Sequence, residues 1–295
     1  MCDQNFKVVG IQKIDEPVSA VKKKWYQGKP ILSIIILGII LLGCLGCHYV
    51  MPKDPTYMDL KNYLVPPCRE FLFGTDTMGR DIFSMIWYGG RISLLIGCLA
   101  AVFSTIIAIV VGAVSGMAPQ WLDLVLMRFT DILLSIPNLL LVIMIQAILG
   151  DANVLSIAFV LGLTCWMSIA KVVRIEVRQI RSADYITASK CMGGHFFHIL
   201  WKHLTPNFIS SIMFMVVMNI RGAILAESTL SFMGLGLPLE VISWGSMLAL
   251  SEKALSAKAW WVLFIPGAFL VVTLLCVTNL GNIIREKQNK SQSNL

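Results

Sequence analysis

Few residues of this 295-residue chain are of a type and spacing to do chemistry. Arg221 and Glu227 interrupt or adjoin an otherwise apolar stretch. A charge in such a place costs about 2.5–3.5 kcal/mol on insertion scales, so it faces a cavity, pairs between helices or snorkels to an interface. Six residues apart, the two are turned by about 600° and share no helix face. The expectation is that Arg221 points to a subunit interface or pore and Glu227 to an outer gate. Asp76, Arg80 and Asp81 lie close together in the segment 73–84, where they can pair with one another or with a partner. Gly74 and Gly79 there permit tight turns, and Thr75 and Asp76 can cap a following helix. Cys44-Leu-Gly-Cys47-His48 has the spacing of a c-type haem attachment site, and Leu41-Leu-Gly-Cys44 that of a lipoprotein cleavage box. Small cysteines packed between helices account for both. His48, Met51 and Cys68 make a poorly specified metal set, and His195, His198 and His203 fit a surface amphipathic helix equally well. No His-Glu-x-x-His occurs, and no Gly-x4-Gly-Lys-Ser/Thr phosphate cradle.

The elements that must position these residues are apolar. Hydrophobic residues make up 57% of the chain and charged ones 14%, with a mean hydropathy of +0.76. An ordinary soluble domain is about 25% charged, so a soluble enzyme is excluded. Eight scattered cysteines exclude a disulfide scaffold. A bilayer span needs roughly 20 apolar residues. The stretches 31–50, 92–117, 132–150, 152–170 and 259–284 qualify without a single Asp, Glu, Lys or Arg, and 208–226 is a sixth, interrupted by Arg221. The reading is an all-α integral membrane protein with six transmembrane helices. Of the 24 lysines and arginines, sixteen fall in the connections that share a side with both termini and seven in the others. That bias predicts cytoplasmic termini in a multi-pass protein of the cell membrane. It also accounts for the net charge of +7 without a nucleic-acid partner. Trp25, Trp121, Trp260 and Trp261 fall near predicted interfaces, Pro137 and Pro266 lie inside spans, and Gly112 and Gly116 suggest close helix contact. The organisation is thus a cytoplasmic segment 1–30, a first helix 31–50, an outer loop 51–91, a five-helix core 92–284 and a cytoplasmic tail 285–295.

Two connections are too long to be mere links. The outer one carries the segment 73–84. The inner one, 171–207, is basic, and its helical spacing at Ile186, Ser189 and Lys190 breaks at Gly193-Gly194. A second amphipathic stretch follows and Pro206 closes it. Two short helices at a glycine corner form a shape that can enter a groove on another protein or lie on a membrane surface.

The inner loop resembles the "EAA" loop of permease subunits of binding-protein-dependent ABC importers: Thr187, Ala188, Ser189, Gly193 and Pro206 fall at its spacings. The outer loop is similar to the Gly-Thr-Asp-x-x-Gly-Arg-Asp-x-x-Ser motif of the "C" subunit in the dipeptide, oligopeptide and nickel branch. Gly74, Thr75, Asp76, Gly79, Arg80, Asp81 and Ser84 match it, and Gly89, Arg91, Ser93 and Leu94 continue it. Further matches are Met127, Arg128, Asp131 and Pro137, the run from Glu227 to Gly236, Ser243-Trp244-Gly245, and Trp260, Trp261, Pro266 and Gly267. Together they span about residues 25–285. Thr187 stands where the family has Glu, Ser189 where it has Ala and Thr205 where it has Leu; Asn279-Leu-Gly281-Asn282 is one residue short of the family's Asn-Leu-x-Gly-Asp.

The resemblance implies a type I ABC importer permease fold working with a homologous second permease, two ATP-binding subunits and an extracytoplasmic solute-binding protein. ATP and Mg would be bound by those partners, and this chain would hold no cofactor and be no enzyme itself. Motion of the loop about Gly193 would tilt the helices to alternate access. Cargo would be di- or oligopeptides, with nickel or a metal chelate as the alternative. The rival from another class, a secondary transporter, needs inverted repeats and broken helices around an ion site. A membrane enzyme needs convergent catalytic groups, which this chain lacks.

Overall fold

The computed structural model describes residues 31–150, 152–180, 205–238 and 240–292. In chain order its helices are α1 (Ile31–Leu45), α2 (Cys47–Val50), α3 (Ile82–Met117), α4 (Gln120–Ser135), α5 (Asn138–Leu149), α6 (Val154–Cys165), α7 (Met167–Ile180), α8 (Thr205–Phe232), α9 (Trp244–Ala249), α10 (Ser251–Ser256) and α11 (Trp261–Gln292), with a 3-10 turn at Leu60–Asn62. The extended pairing among the described residues is one bridge between Thr75 and Asp81. Among the described residues, three helices are long and apolar enough to cross a membrane, Ile82–Met117, Ser211–Phe232 and Trp261–Glu286. The count rises to five if the bent pairs α4–α5 and α6–α7 are each one span, and α1 is a shorter apolar helix beside them.

The helices start and stop for local reasons. α3 begins ten residues before the apolar run at Ile92, because the Asp81 carboxylate accepts from Ser84 N (2.9 Å) and Ser84 Oγ (2.6 Å) and caps it. The cap is therefore Asp81, where the sequence pointed to Thr75 or Asp76. The run 132–150 is not one straight helix. Ile136 precedes Pro137 and is pushed to extended backbone (φ −85°, ψ 131°), so α4 and α5 meet at 96°. Pro266 lies near the start of α11 and leaves that helix unbroken. α6 and α7 meet at 48° around Trp166.

α3 is the central post. Its glycines let other helices approach to backbone contact: a Cβ on Gly97 would stand 2.7 Å from the Ile224 side chain, one on Gly112 2.6 Å from Ala170 O, and one on Gly116 2.7 Å from Val177. So the Gly112 and Gly116 pair seats α7, as small residues do between membrane helices. Around the post lie apolar clusters: Ala108, Ala113, Ile169, Val173 and Ile212 at one end, Ile96, Ile157, Leu161 and Ala223 midway, and Ile86, Ile242, Trp244 and Val262 at the other. Many apolar side chains face outward, among them Ile39, Leu42, Leu140, Ile148 and Leu275. That is the pattern of a protein whose surroundings are themselves apolar. Cys44 and Cys47 are buried, and a Cβ on Gly90 of α3 would lie 2.6 Å from the Cys44 sulfur.

Candidate functional site

The segment 59–84 is built as a rigid stand. The Asp76 carboxylate accepts from Met78 N (2.8 Å), Arg80 N (2.8 Å) and Arg80 Nε (2.8 Å), and both side chains of the ion pair are buried. Thr75 Oγ1 donates to Asn62 O (2.6 Å) and accepts from Val65 N (2.7 Å). Trp261, nearly buried at the start of α11, donates from Nε1 to Thr75 O (3.1 Å). Trp261 therefore anchors this loop, whereas Trp121 and Trp260 are exposed as interface residues would be. Asp76 and Arg80 pair with one another, and Asp81 serves α3. Arg91 is exposed, with its guanidinium 5.2 Å from the centre of the Tyr88 ring. Outside the helices, Asp54 accepts from Thr56 N (2.8 Å) and Oγ1 (2.6 Å), and those donors hold its carboxyl below the usual range.

Gly74 and Gly79 take left-handed backbone, φ +77° and +72°. At Gly79 a Cβ would fall 1.8 Å from Asp59 O. Gly79→Ala must both strain its own backbone, by about 1–2 kcal/mol, and push the 59–63 segment away. We expect faster proteolysis within 51–81 and a lower melting temperature in detergent; unchanged values for both would refute this account of the turn.

Two stretches of the sequence, 227–236 and 243–245, meet at a single carboxylate. Glu227 on α8 is fully buried. Its Oε1 accepts from Ser243 Oγ (2.8 Å) and Ser231 Oγ (3.0 Å), and its Oε2 from Ser93 Oγ (3.2 Å) and Ser228 Oγ (3.3 Å). The same serines serve the backbone around them. Ser243 forms a capping box with Ser246 that starts α9, Ser93 Oγ accepts from Trp244 N (3.2 Å), and Ser231 Oγ accepts from Leu237 N (3.2 Å). Gly245 has to be glycine, since a Cβ there would lie 2.7 Å from Ser228 Cα and 3.0 Å from Glu227 Oε1. Glu227 thus ties α3, α8 and α9 together. Arg221 turns to another neighbour: it is half-buried, and its Nη1 donates to Thr278 Oγ1 of α11 (3.3 Å).

A second charged cluster was not singled out from the sequence. Asp123 of α4 is 2% exposed and accepts from Ser115 Oγ of α3 (2.5 Å), from Arg174 Nε and Nη2 (the latter 2.6 Å) and from Arg178 Nη2 (2.5 Å). Lys171 and Asp131 add an exposed pair at 2.6 Å between the same two helices. The available signal was an Asp in an apolar helix and two arginines four apart, at 174 and 178. Thr187, Ala188, Ser189 and Gly193 lie outside the described residues; Pro206 lies within α8.

A third feature is a cavity of about 420 Å³ where α4–α5, α6–α7 and α8 meet. Its wall carries Ser135, Asn138, Thr164, Cys165, Ser168 and Asn219. Asn219 Nδ2 donates to Cys165 O (3.1 Å), a carbonyl at the α6–α7 bend, and to Ser104 Oγ of α3 (3.1 Å). Among the described residues no group of three or more His, Cys, Asp or Glu stands close enough to hold a metal ion.

A family model described as "Binding-protein-dependent transport system inner membrane component" matches residues 104–290. The chain is 34% identical to the dipeptide transport system permease protein DppC of Bacillus subtilis (strain 168) over 252 residues, covering 85% of this chain and 78% of that one. It is also 34% identical to the oligopeptide transport system permease protein OppC of the same organism over 255 residues, 86% of this chain and 83% of that one.

Proposed function

Because the chain belongs to the family of binding-protein-dependent transport system inner membrane components, we propose that it is the C-type permease subunit of an ATP-driven importer of di- and oligopeptides. The observation that carries this reading is the likeness to two peptide permeases along most of all three chains. Both relatives are named for peptides, which favours peptide over nickel or a metal chelate as cargo.

In this reading six helices span the cell membrane, the two bent pairs each counting as one and α1 as the first, with both termini in the cytoplasm. A homologous permease completes the passage, two ATP-binding subunits sit at the cytoplasmic face, and a solute-binding protein delivers cargo to the stand 59–84. The ATPases bind and hydrolyse ATP with Mg, and their closing moves the 171–207 connection about Gly193. The Asp123 cluster supports that role for the connection, since it fastens α7, the helix leading into it, to α4 and α3.

Purifying the tagged chain in mild detergent, with mass spectrometry of what accompanies it, tests the proposal. A stoichiometric second permease with one or two P-loop ATPases is the expected result. A lone chain that still transports after reconstitution would overturn it and make the protein a secondary carrier.

A further inference from the structure

Breaks in transmembrane helices are costly, because carbonyls and amides freed in hydrocarbon have no water to meet. They persist where they are buried in protein or line a wet cavity. Here both breaks, at Pro137 and at Trp166, open onto one cavity, with Asn219 across from them. Fourteen described residues of α8 precede Asn219 and thirteen follow it, so the cavity lies deep along that helix. Its volume of about 420 Å³ falls within the ≈ 300–1,000 Å³ usual for small-molecule sites.

The wall is polar without being charged. It offers two carboxamides, three hydroxyls and a thiol, and no Asp, Glu, Lys, Arg or His. Ser135, Asn138 and Ser168 are exposed. Ser135 Oγ and Thr164 Oγ1 donate to carbonyls of their own helices, Ile132 O (2.6 Å) and Leu161 O (3.2 Å), which leaves their oxygens to accept, while lipid would offer the exposed Ser168 hydroxyl no partner. The Asn219 amide nitrogen is engaged with Cys165 O and Ser104 Oγ, which leaves Oδ1 uncommitted among the described bonds. Carboxamides and hydroxyls suit backbone N–H and C=O groups of any peptide. A wall without charge neither selects nor traps a charged cargo side chain.

We propose that this cavity is the section of the passage that holds the cargo, where Asn219, Asn138, Thr164 and Ser168 hydrogen-bond the backbone of a short peptide irrespective of its side chains. The proposal rests on the peptide-importer reading and moves the pathway away from Arg221 and Glu227.

Cys165 in the wall supplies a probe. The importer, purified with its partner subunits and reconstituted with its binding protein, is treated with a small methanethiosulfonate, and modification is read residue by residue. Cys165 is expected to react, and saturating dipeptide to slow the reaction at least fivefold. Cys276, buried beside Leu37 and Val217, should be unaffected by peptide. Asn219→Leu should lower peptide uptake at least tenfold while binding-protein-stimulated ATP hydrolysis stays within twofold. Ser168→Leu fills the same cavity without touching the Asn219 bonds and should do likewise, so a misassembled Asn219 variant decides nothing by itself. Cys165 modification indifferent to peptide, or unreactive in both conditions because a neighbouring helix covers it, would overturn the inference. So would uptake by Ser168→Leu within twofold of the parent. If the parent complex moves no peptide at all, the importer reading fails and takes this inference with it; if the parent transports and the cavity readouts do not respond, only the inference fails.

Discussion

Glu227→Ala is expected to cost about 3–5 kcal/mol and to lower the melting temperature of the purified protein by roughly 10 °C or more. The alanine removes the common acceptor of Ser93, Ser228, Ser231 and Ser243 in a fully buried place. A buried hydroxyl without a partner costs about 1–3 kcal/mol, and several of these can turn to backbone carbonyls, so the total is less than the sum. The damage spreads because Ser243 also starts α9 and Ser231 also holds Leu237 N. Glu227→Gln keeps one oxygen acceptor and offers its amide to hydroxyl oxygens, so it should cost only about 1–2 kcal/mol. The order Ala well below Gln, Gln slightly below the parent, is the diagnostic result. It is read as thermal unfolding in detergent together with the amount of protein recovered from membranes. An Ala variant as stable as the parent would show that the serines do not depend on this carboxylate, and would return Glu227 to the gate role suggested by its sequence position.

Asp123→Ala carries the second large effect, and here function suffers more than stability. Ser115 and the two arginines lose one shared acceptor. Arg174 and Arg178 are 24% and 39% exposed and recover water, so the loss is about 2–3 kcal/mol, below the 3–5 typical of a fully buried pair. What is lost besides energy is the buried fastening of α4 to α7, with the exposed Lys171–Asp131 pair left between them. We expect reconstituted importer bearing this variant to hydrolyse ATP with peptide import reduced about tenfold, so that more ATP is spent per peptide moved. Asp123→Asn, which keeps an acceptor but not the charge, should fall between. The ratio of hydrolysis to uptake in vesicles measures this. A ratio equal to the parent's, with unchanged thermal stability, would remove the cluster from the coupling path.

The legible part of the molecule was the part governed by local composition. Charge-free apolar runs of the right length mark helices that the structure contains, because the solvent acts on each run alone. Prolines show where that rule stops. Pro137 and Pro266 look alike in sequence, yet one ends a helix and the other sits near the beginning of one, where little hydrogen bonding is lost. The segment 73–84 announced its glycines and its charges, while their pairing depended on which oxygen met which nitrogen in a folded turn. Least legible was the environment of Glu227: Ser93 is 134 residues away and Ser243 sixteen, and only packing of α3 against α8 and α9 brings them together. Arg221 likewise meets Thr278, 57 residues on. Asp123 did not stand out because its arginine partners are 51 and 55 residues on, in another helix.

The length of α3 has a consequence of its own. Thirty-six residues at about 1.5 Å each make a rod of about 54 Å, against a hydrocarbon core about 30 Å thick. To hide the whole rod it would have to lean by roughly 56°, beyond the range of about 0–40° that membrane helices adopt. Part of it therefore lies outside the hydrocarbon. The 59–84 stand is lashed to one end of this rod by Asp81 and stayed by Trp261. A visiting protein that touched this landing stage would meet it at a height set by the turns of α3 that the hydrocarbon leaves uncovered.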